Sequence, residues 1–209
     1  MKFLFVFCAI IATSHLDATI RSNEWIPRSQ AREICIDTPL TITFTETPQL
    51  GRTGSIRIHR TADHAVVDTI DLSRCSENGT ETRSIAGTKY QVYPILIDGK
   101  TATIFPHAGV LKTGTGYYIT VNSGVVIGFA DISSAQGWRF ETKKRLPDSA
   151  AETLRVEADG SGDFCTVQAA IDFIPRDNRV ARKLVIGKGI YREIVRIDKK
   201  PMLRITASR

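Results

Sequence analysis

Apolar and polar residues alternate along much of the first 142 positions. Leu40, Ile42 and Phe44 are interleaved with Thr41, Thr43 and Thr45. A period of two puts one face of a strand in a core and the other in water. The pattern recurs at 54–60 through Ile56 and Ile58, and again at 65–72 after Thr61-Ala62-Asp63-His64, which reads as a hairpin loop. Residues 89–97 and 101–106 form the next two runs, joined around Asp98-Gly99, a favoured tight-turn pair. Residues 117–121, 125–129 and 137–142 complete the set, with Trp138 and Phe140 as core plugs.

Residues 144–153 are polar, contain Pro147 and read as a linker. A second pattern follows. Residues 154–158 predict a strand, and 159–163 a glycine-rich turn. Residues 165–175 predict a short helix, capped by Thr166 and stopped by Pro175, with Val167, Ala170, Ile171 and Ile174 on one face. Residues 183–189, 193–197 and 202–207 are short β-branched runs between brief turns. The expected class is all-β. Seven or eight short strands over 24–143 argue for a sandwich of immunoglobulin-like type. The antibody order Cys…Trp…Cys is absent. A helix followed by repeated short strands over 154–209 fits the N-terminal cap and first rungs of a solenoid.

The first residues change the compartment. Lys2 precedes an unbroken apolar run at 3–12, and small residues follow at Ala12-Thr13-Ser14 and again at Ala18. This is the layout of a secretory signal peptide over residues 1–18, too short to span a bilayer. The chain is therefore expected to be secreted, extracellular or periplasmic, with no membrane attachment after signal removal. Export permits disulfides. Outside the signal the chain has Cys35, Cys75 and Cys165, an odd number, so one pair and one free thiol is the simplest outcome, with the pair left open. No C-x-x-C occurs, and His15, His59, His64 and His107 are scattered, which argues against a zinc site.

The formal net charge is +6, unevenly spread. Residues 176–209 carry eleven Lys or Arg against three acids, Asp177, Glu193 and Asp198. A basic face of this kind attracts an acidic polymer, and is equally what a solvated strand surface presents. Nucleic acid is a poor candidate for an exported chain with no recognisable binding motif.

Three blocks in the second region carry a resemblance. They are Asp159-Gly160-Ser161-Gly162-Asp163-Phe164, Thr166-Val167-Gln168-Ala169-Ala170-Ile171-Asp172, and Gly189-Ile190-Tyr191-Arg192-Glu193, followed by Lys199-Lys200. In order and spacing they resemble the opening of the pectinesterase family, with the last block matching its G-x-Y-x-E segment. Residues 35–44, 48–58 and 67–72 are similar to the bacterial Ig-like module that precedes such domains. The resemblance implies a right-handed parallel β-helix, hydrolysis of methyl esters in pectin, and no cofactor or metal. That chemistry needs a carboxylate nucleophile, a second carboxyl that protonates the departing methanol, and amide donors facing the oxyanion. In the family these sit on rungs after the G-x-Y-x-E segment: a Gln-bearing strand, a G-x-x-D-F motif and an L-G-R-P-W motif. None of the three follows Glu193 here, so no residue of this chain is assigned a catalytic role. Two rungs are fewer than the roughly three that a stack needs, and the sequence is expected to be the N-terminal portion of a longer protein. The expected partner is pectin or another acidic polysaccharide. The alternative is a non-catalytic Ig-like module holding such a polymer.

The remaining candidates have structural readings. Asp159 and Asp163 share a turn but fail the calcium-loop pattern, because Phe164 stands where Gly is required. Gly99-Lys100-Thr101 has the end of a phosphate loop without its first Gly, which would fall on Pro94. Gly160, Gly162 and Gly189 are expected to shape turns, Tyr191 to plug the core, and Glu193 to be a satisfied carboxylate. Trp25, Tyr117 and Tyr118 are candidates for stacking on sugar rings, with packing as the competing reading. Asn78-Gly79-Thr80 is a glycosylation sequon.

Overall fold

The structure, a computed structural model, describes residues 20–208. The expected signal peptide lies outside them. The first unit is built from β1 (Ser22–Ile26), β2 (Ala31–Ile34), β3 (Leu40–Phe44), β4 (Ser55–Arg60), β5 (Val66–Asp71), β6 (Glu81–Ile85), β7 (Thr88–Val92), β8 (Ile95–Asp98), β9 (Thr101–Ile104), β10 (Gly116–Val121) and β11 (Trp138–Thr142). One sheet has the order β1-β3-β9-β8 and another β2-β11-β10-β4-β5, while β6 and β7 form a separate hairpin. Alternation does what it predicts: in β3, Leu40, Ile42 and Phe44 are buried and the two threonines between them are not. The shared core includes Phe44, Ile56, Ile58, Tyr117, Ile119 and Trp138. Trp138 is fully buried, donates Nε1–H to Pro27 O at 2.8 Å, and stacks on Trp25 at 5.8 Å.

The second unit holds β12 (Thr153–Val156), α1 (Val167–Phe173), β13 (Arg182–Ile186) and β14 (Leu203–Ala207). The strands form one parallel sheet of order β12-β13-β14, without a register shift. Leu154, Leu184 and Ile205 stand in one column across it. Helix α1 packs Val167, Ala170 and Ile171 against Leu154, Val156 and Leu184 in a separate, smaller core. Thr166 caps α1 through Ala169 N–H, as predicted, and Pro175 follows its C-cap. The described residues form an all-β protein with one short helix, and neither sheet of the first unit nor the parallel sheet closes on itself.

Several predicted strands differ. Residues 89–97 are not one strand but β7 and β8, because Pro94 has no N–H to donate and the chain changes sheets there. Residues 125–129 form no strand. Gly124 and Gly128, with φ of 90° and 75°, bracket them in turns, leaving Val125 and Val126 buried but paired only briefly with 49–51. Residues 193–197 also form no strand, because their backbone is used by α1: Arg196 N–H donates to Gln168 Oε1 at 2.7 Å, and Gln168 Nε2 donates to Arg196 O at 3.3 Å. Strands β1, β2 and β6, which are short and polar, were not predicted. Among the described residues no helix is long and apolar enough to cross a membrane.

Candidate functional site

The three blocks of the second unit converge on the start of α1, and each residue there has a mechanical task. Asp159 Oδ1 accepts Ser161 N–H at 2.9 Å and its hydroxyl at 2.7 Å, closing the turn in which Gly160 takes a φ of 85°. Asp163 Oδ2 accepts the β12 amide of Arg155 at 2.8 Å. The letters G-x-x-D-F do occur at Gly160–Phe164, but that contact ties the aspartate into the turn. A Cβ on Gly162 would stand 2.8 Å from Arg155 O, and one on Gly189 2.7 Å from Ala158 Cβ, so both glycines permit close packing. The Tyr191 hydroxyl donates to Gly187 O at 3.1 Å, and its ring packs on the second core. Glu193 accepts Val167 N–H on one oxygen and Gln168 N–H on the other, both at 2.8 Å. These are first-turn amides that the helix itself cannot satisfy. Burial nonetheless holds the Glu193 carboxyl above its usual range.

The first unit reaches the same helix end. Asp37 Oδ2 accepts Cys165 N–H at 2.9 Å, Thr166 N–H at 2.7 Å and Thr166 Oγ1 at 2.8 Å. Its other oxygen is buried without a partner, and burial raises its pKa. Beside it, Lys143 Nζ lies 3.2 Å from Cys35 Sγ and donates to Gly160 O at 3.1 Å and to Gly162 O. Cys35 Sγ, an Asp37 oxygen and Cys165 Sγ lie within 4.8 Å of one another. Two sulfurs and a carboxylate are a donor set for a soft metal, but the Lys143 ammonium stands against the Cys35 sulfur that the metal would need. Sequence reasoning missed Asp37, Lys143 and the pairing of Cys35 with Cys165. Cys35 and Asp37 are more than a hundred residues from Lys143, Cys165 and Thr166, and no local pattern joins them.

Between hairpin β6–β7 and α1 lies a cleft of about 860 Å³, lined among others by Arg83, Tyr93, His107, Gln168, Asp172 and Arg192. Its charges are largely spoken for. Arg83 pairs with Glu81 at 2.5 Å and donates to Phe105 O and Pro106 O, Arg192 pairs with Asp98 at 2.5 Å, and His107 Nδ1 meets Asp68 at 2.7 Å.

The aromatic candidates do not offer free faces. Tyr117 and Tyr118 are buried, Tyr118 stacks on His59 at 4.5 Å, and Trp25 lies on Trp138. Lys100 of Gly99-Lys100-Thr101 sits in the β8–β9 hairpin turn and donates to Thr45 O at 2.8 Å. Asn78 is exposed in a turn. Of the basic residues after 175, Arg182 is buried and donates to Ser149 O at 2.7 Å and to Ala151 O, pinning the polar 144–153 segment to β13. Lys200 donates to Ile174 O. Arg176, Arg179, Lys183, Lys188, Arg192, Lys199 and Arg204 are exposed.

The family model described as bacterial Ig-like domain matches residues 19–142. Pectinesterase 31 of Arabidopsis thaliana is 45% identical over 47 residues, which are 22% of this chain, and the match spans 15% of that protein's length. A crystal structure of CopC from Methylosinus trichosporium OB3b covers 59% of this chain and 93% of its own at 12% identity, with a TM-score of 0.32, a likeness too low to carry any argument.

Proposed function

We propose, for a chain that belongs to the bacterial Ig-like domain family through residues 19–142, that it is a secreted pectinesterase-like protein whose second unit begins a right-handed parallel β-helix. The whole protein's activity in this reading is hydrolysis of pectin methyl esters in cell-wall polysaccharide. The observation that carries it is the unbroken parallel register of β12, β13 and β14, with Leu154, Leu184 and Ile205 in one column, buried at Leu154 and Leu184 and open at Ile205 on the edge strand. That is the geometry of stacked rungs, and it coincides with the region expected to open a pectinesterase fold. The partial likeness to a plant pectinesterase supports the same reading. In these 209 residues the family carboxylates hold structure: Asp159, Asp163 and Glu193 each accept backbone amides. The chain as given is therefore expected to release no methanol from methylated pectin, and measurable release would overturn this assignment. Sequencing the source transcript beyond the Arg209 codon tests the enzymatic reading. An in-frame Gln-bearing strand with G-x-x-D-F and L-G-R-P-W motifs supports it; an immediate stop overturns it.

The alternative, a non-catalytic module holding acidic polysaccharide, is favoured by a specific surface. Lys183 and Arg204 are direct neighbours in the ladder, both exposed, and Arg155 shares their face. Like charges in register repel one another and gain from a polyanion laid across them. Retention on polygalacturonate that falls with salt, and falls further in a K183A/R204A double variant, is the expected result. No retention at low salt removes this reading.

A further inference from the structure

The two units meet through a pair of buried thiols. Cys35 belongs to the first unit, in the segment between β2 and β3, and is 1% exposed. Cys165 belongs to the second, immediately before the α1 cap, and is 5% exposed. Their sulfurs lie within 4.8 Å. Cys75, in contrast, packs against the first core at the end of a 3₁₀ turn, with its S–H toward Asp71 O. We propose that Cys35 and Cys165 form a disulfide that rivets the Ig-like domain to the second unit, leaving Cys75 as the free thiol.

The surroundings favour this chemistry over a metal. The neighbouring Cys165 and the Lys143 ammonium, 3.2 Å from the Cys35 sulfur, lower the Cys35 pKa, whereas proximity to Cys35 and burial raise that of Cys165. One thiolate beside one thiol is the arrangement that thiol–disulfide exchange uses. The Cys35 thiolate attacks one sulfur of an oxidised dithiol carrier or of oxidised glutathione, and the carrier's other sulfur departs as a thiolate. Cys165 then loses its proton and attacks the Cys35 sulfur of the mixed disulfide. The carrier leaves as its second thiolate. Two electrons pass from the protein sulfurs to the carrier, the Cys165 proton ends on one of the two departing carrier thiolates, and one S–S bond replaces another. Because both sulfurs are buried in the finished joint, the exchange takes place while the second unit is still docking. A metal at this place would face the Lys143 ammonium, which stands 3.2 Å from the Cys35 sulfur that would have to ligate it.

Trypsin separates the three cysteines. Cys35 falls in peptide 33–52, Cys75 in 75–83 and Cys165 in 156–176. Purified protein is refolded in a glutathione redox buffer, so the result does not depend on where a cell sends the chain. It is then alkylated, digested and mapped by mass without reduction. The expected product is 33–52 joined to 156–176, lighter by two hydrogens than the sum and lost on reduction, with 75–83 alkylated. It persists in C75S and is absent from C35S and C165S. Native protein nicked by trypsin in the 143–145 basic run should migrate as one piece on a non-reducing denaturing gel and as two after reduction. Linkage of 75–83 to either partner, three alkylated cysteines in refolded wild type, or one equivalent of zinc held by a reduced protein would each overturn the proposal. The wild-type map decides even if the serine variants fail to fold.

Discussion

Glu193→Ala isolates the task assigned to the last family motif. Glu193 is the sole acceptor drawn from its own unit for Val167 and Gln168 N–H, at 2.8 Å each. Hydrogen bonds to a charged acceptor contribute roughly 1.5–3 kcal/mol apiece, so the gross loss is about 3–6 kcal/mol. Two effects reduce it. The carboxylate is itself disfavoured by burial, as its raised pKa shows, and the site is only half-buried, so water can reach the freed amides. A net cost of about 2–3 kcal/mol remains, close to that of losing a strong helix cap. Both tryptophans lie in the first unit, so fluorescence does not read α1. Hydrogen exchange does. Protection of the α1 amides should fall roughly 30- to 150-fold, since each 1.4 kcal/mol is about tenfold, while the tryptophan unfolding transition moves little. Glu193→Gln retains one good acceptor and should lose less. Unchanged α1 protection in the Ala variant, or a Gln variant as damaged as the Ala one, would refute the capping role.

Gly162→Ala should cost about 1–3 kcal/mol by overpacking, because its Cβ meets backbone atoms at 2.8 Å and 2.9 Å, whereas Gly187→Ala, whose closest neighbours are the flexible Glu157 carboxylate atoms, should be milder; α1 exchange compares them. Trp138→Ala removes a fully buried ring and its bond to Pro27 O and should destabilise the first unit by about 3–5 kcal/mol in urea unfolding. The first unit's Asp68–His107 pair and the joint between the units should respond to acid with opposite sign. Burial works to raise the Asp68 pKa, but the His107 hydrogen bonds outweigh it and hold it below 3.8, so its contribution is full above the unfolded value and lost as pH falls through the folded one. Burial raises Asp37 and Glu193, so their contribution is full below about 3.8 and 4.5 and is lost as pH rises through their folded values. Tryptophan emission should therefore report a first unit weakened below pH 4, while α1 exchange reports a joint that gains from the same change.

The legible parts of the fold were those fixed by local chemistry. The alternation in Leu40–Phe44, the Asp98-Gly99 turn, the Thr166 cap and the Pro175 stop each depend on a few adjacent residues, and each stands where the pattern puts it. Periodicity failed where another partner claimed the backbone. Residues 193–197 have the composition of a strand, but Gln168 uses both the N–H and the C=O of Arg196. Residues 125–129 are apolar enough for a strand, yet glycines in positive φ at both ends leave no length for a ladder. Strands β1 and β2 carry little apolar signal, and their pairing comes from β3 and β11 instead. In the site, the Asp159 turn is local, whereas Glu193 reaches the amides of Val167 and Gln168 from 26 and 25 residues away. Asp37 and Lys143 were invisible, since their partners are set by how the two units meet.

That meeting decides whether the second unit can stand by itself. Its core contains eight buried side chains, against twenty in the first. Its helix has seven residues, well short of the length at which a helix holds in water without tertiary support. The α1 end is closed from two directions, by Glu193 within the unit and by Asp37 from the Ig-like domain, while Lys143 holds the glycine-rich turn through Gly160 O and Gly162 O. Asp37 lies between β2 and β3 and Lys143 directly follows β11, so both are in position as soon as that domain folds. The order that follows is a sandwich first, formed on its own larger core, and then a turn and helix laid onto its surface. In that sequence the Ig-like domain is more than a tethered neighbour. It supplies the acceptor and the cation that fix the glycine-rich turn and the start of α1, the segment that joins β12 to β13.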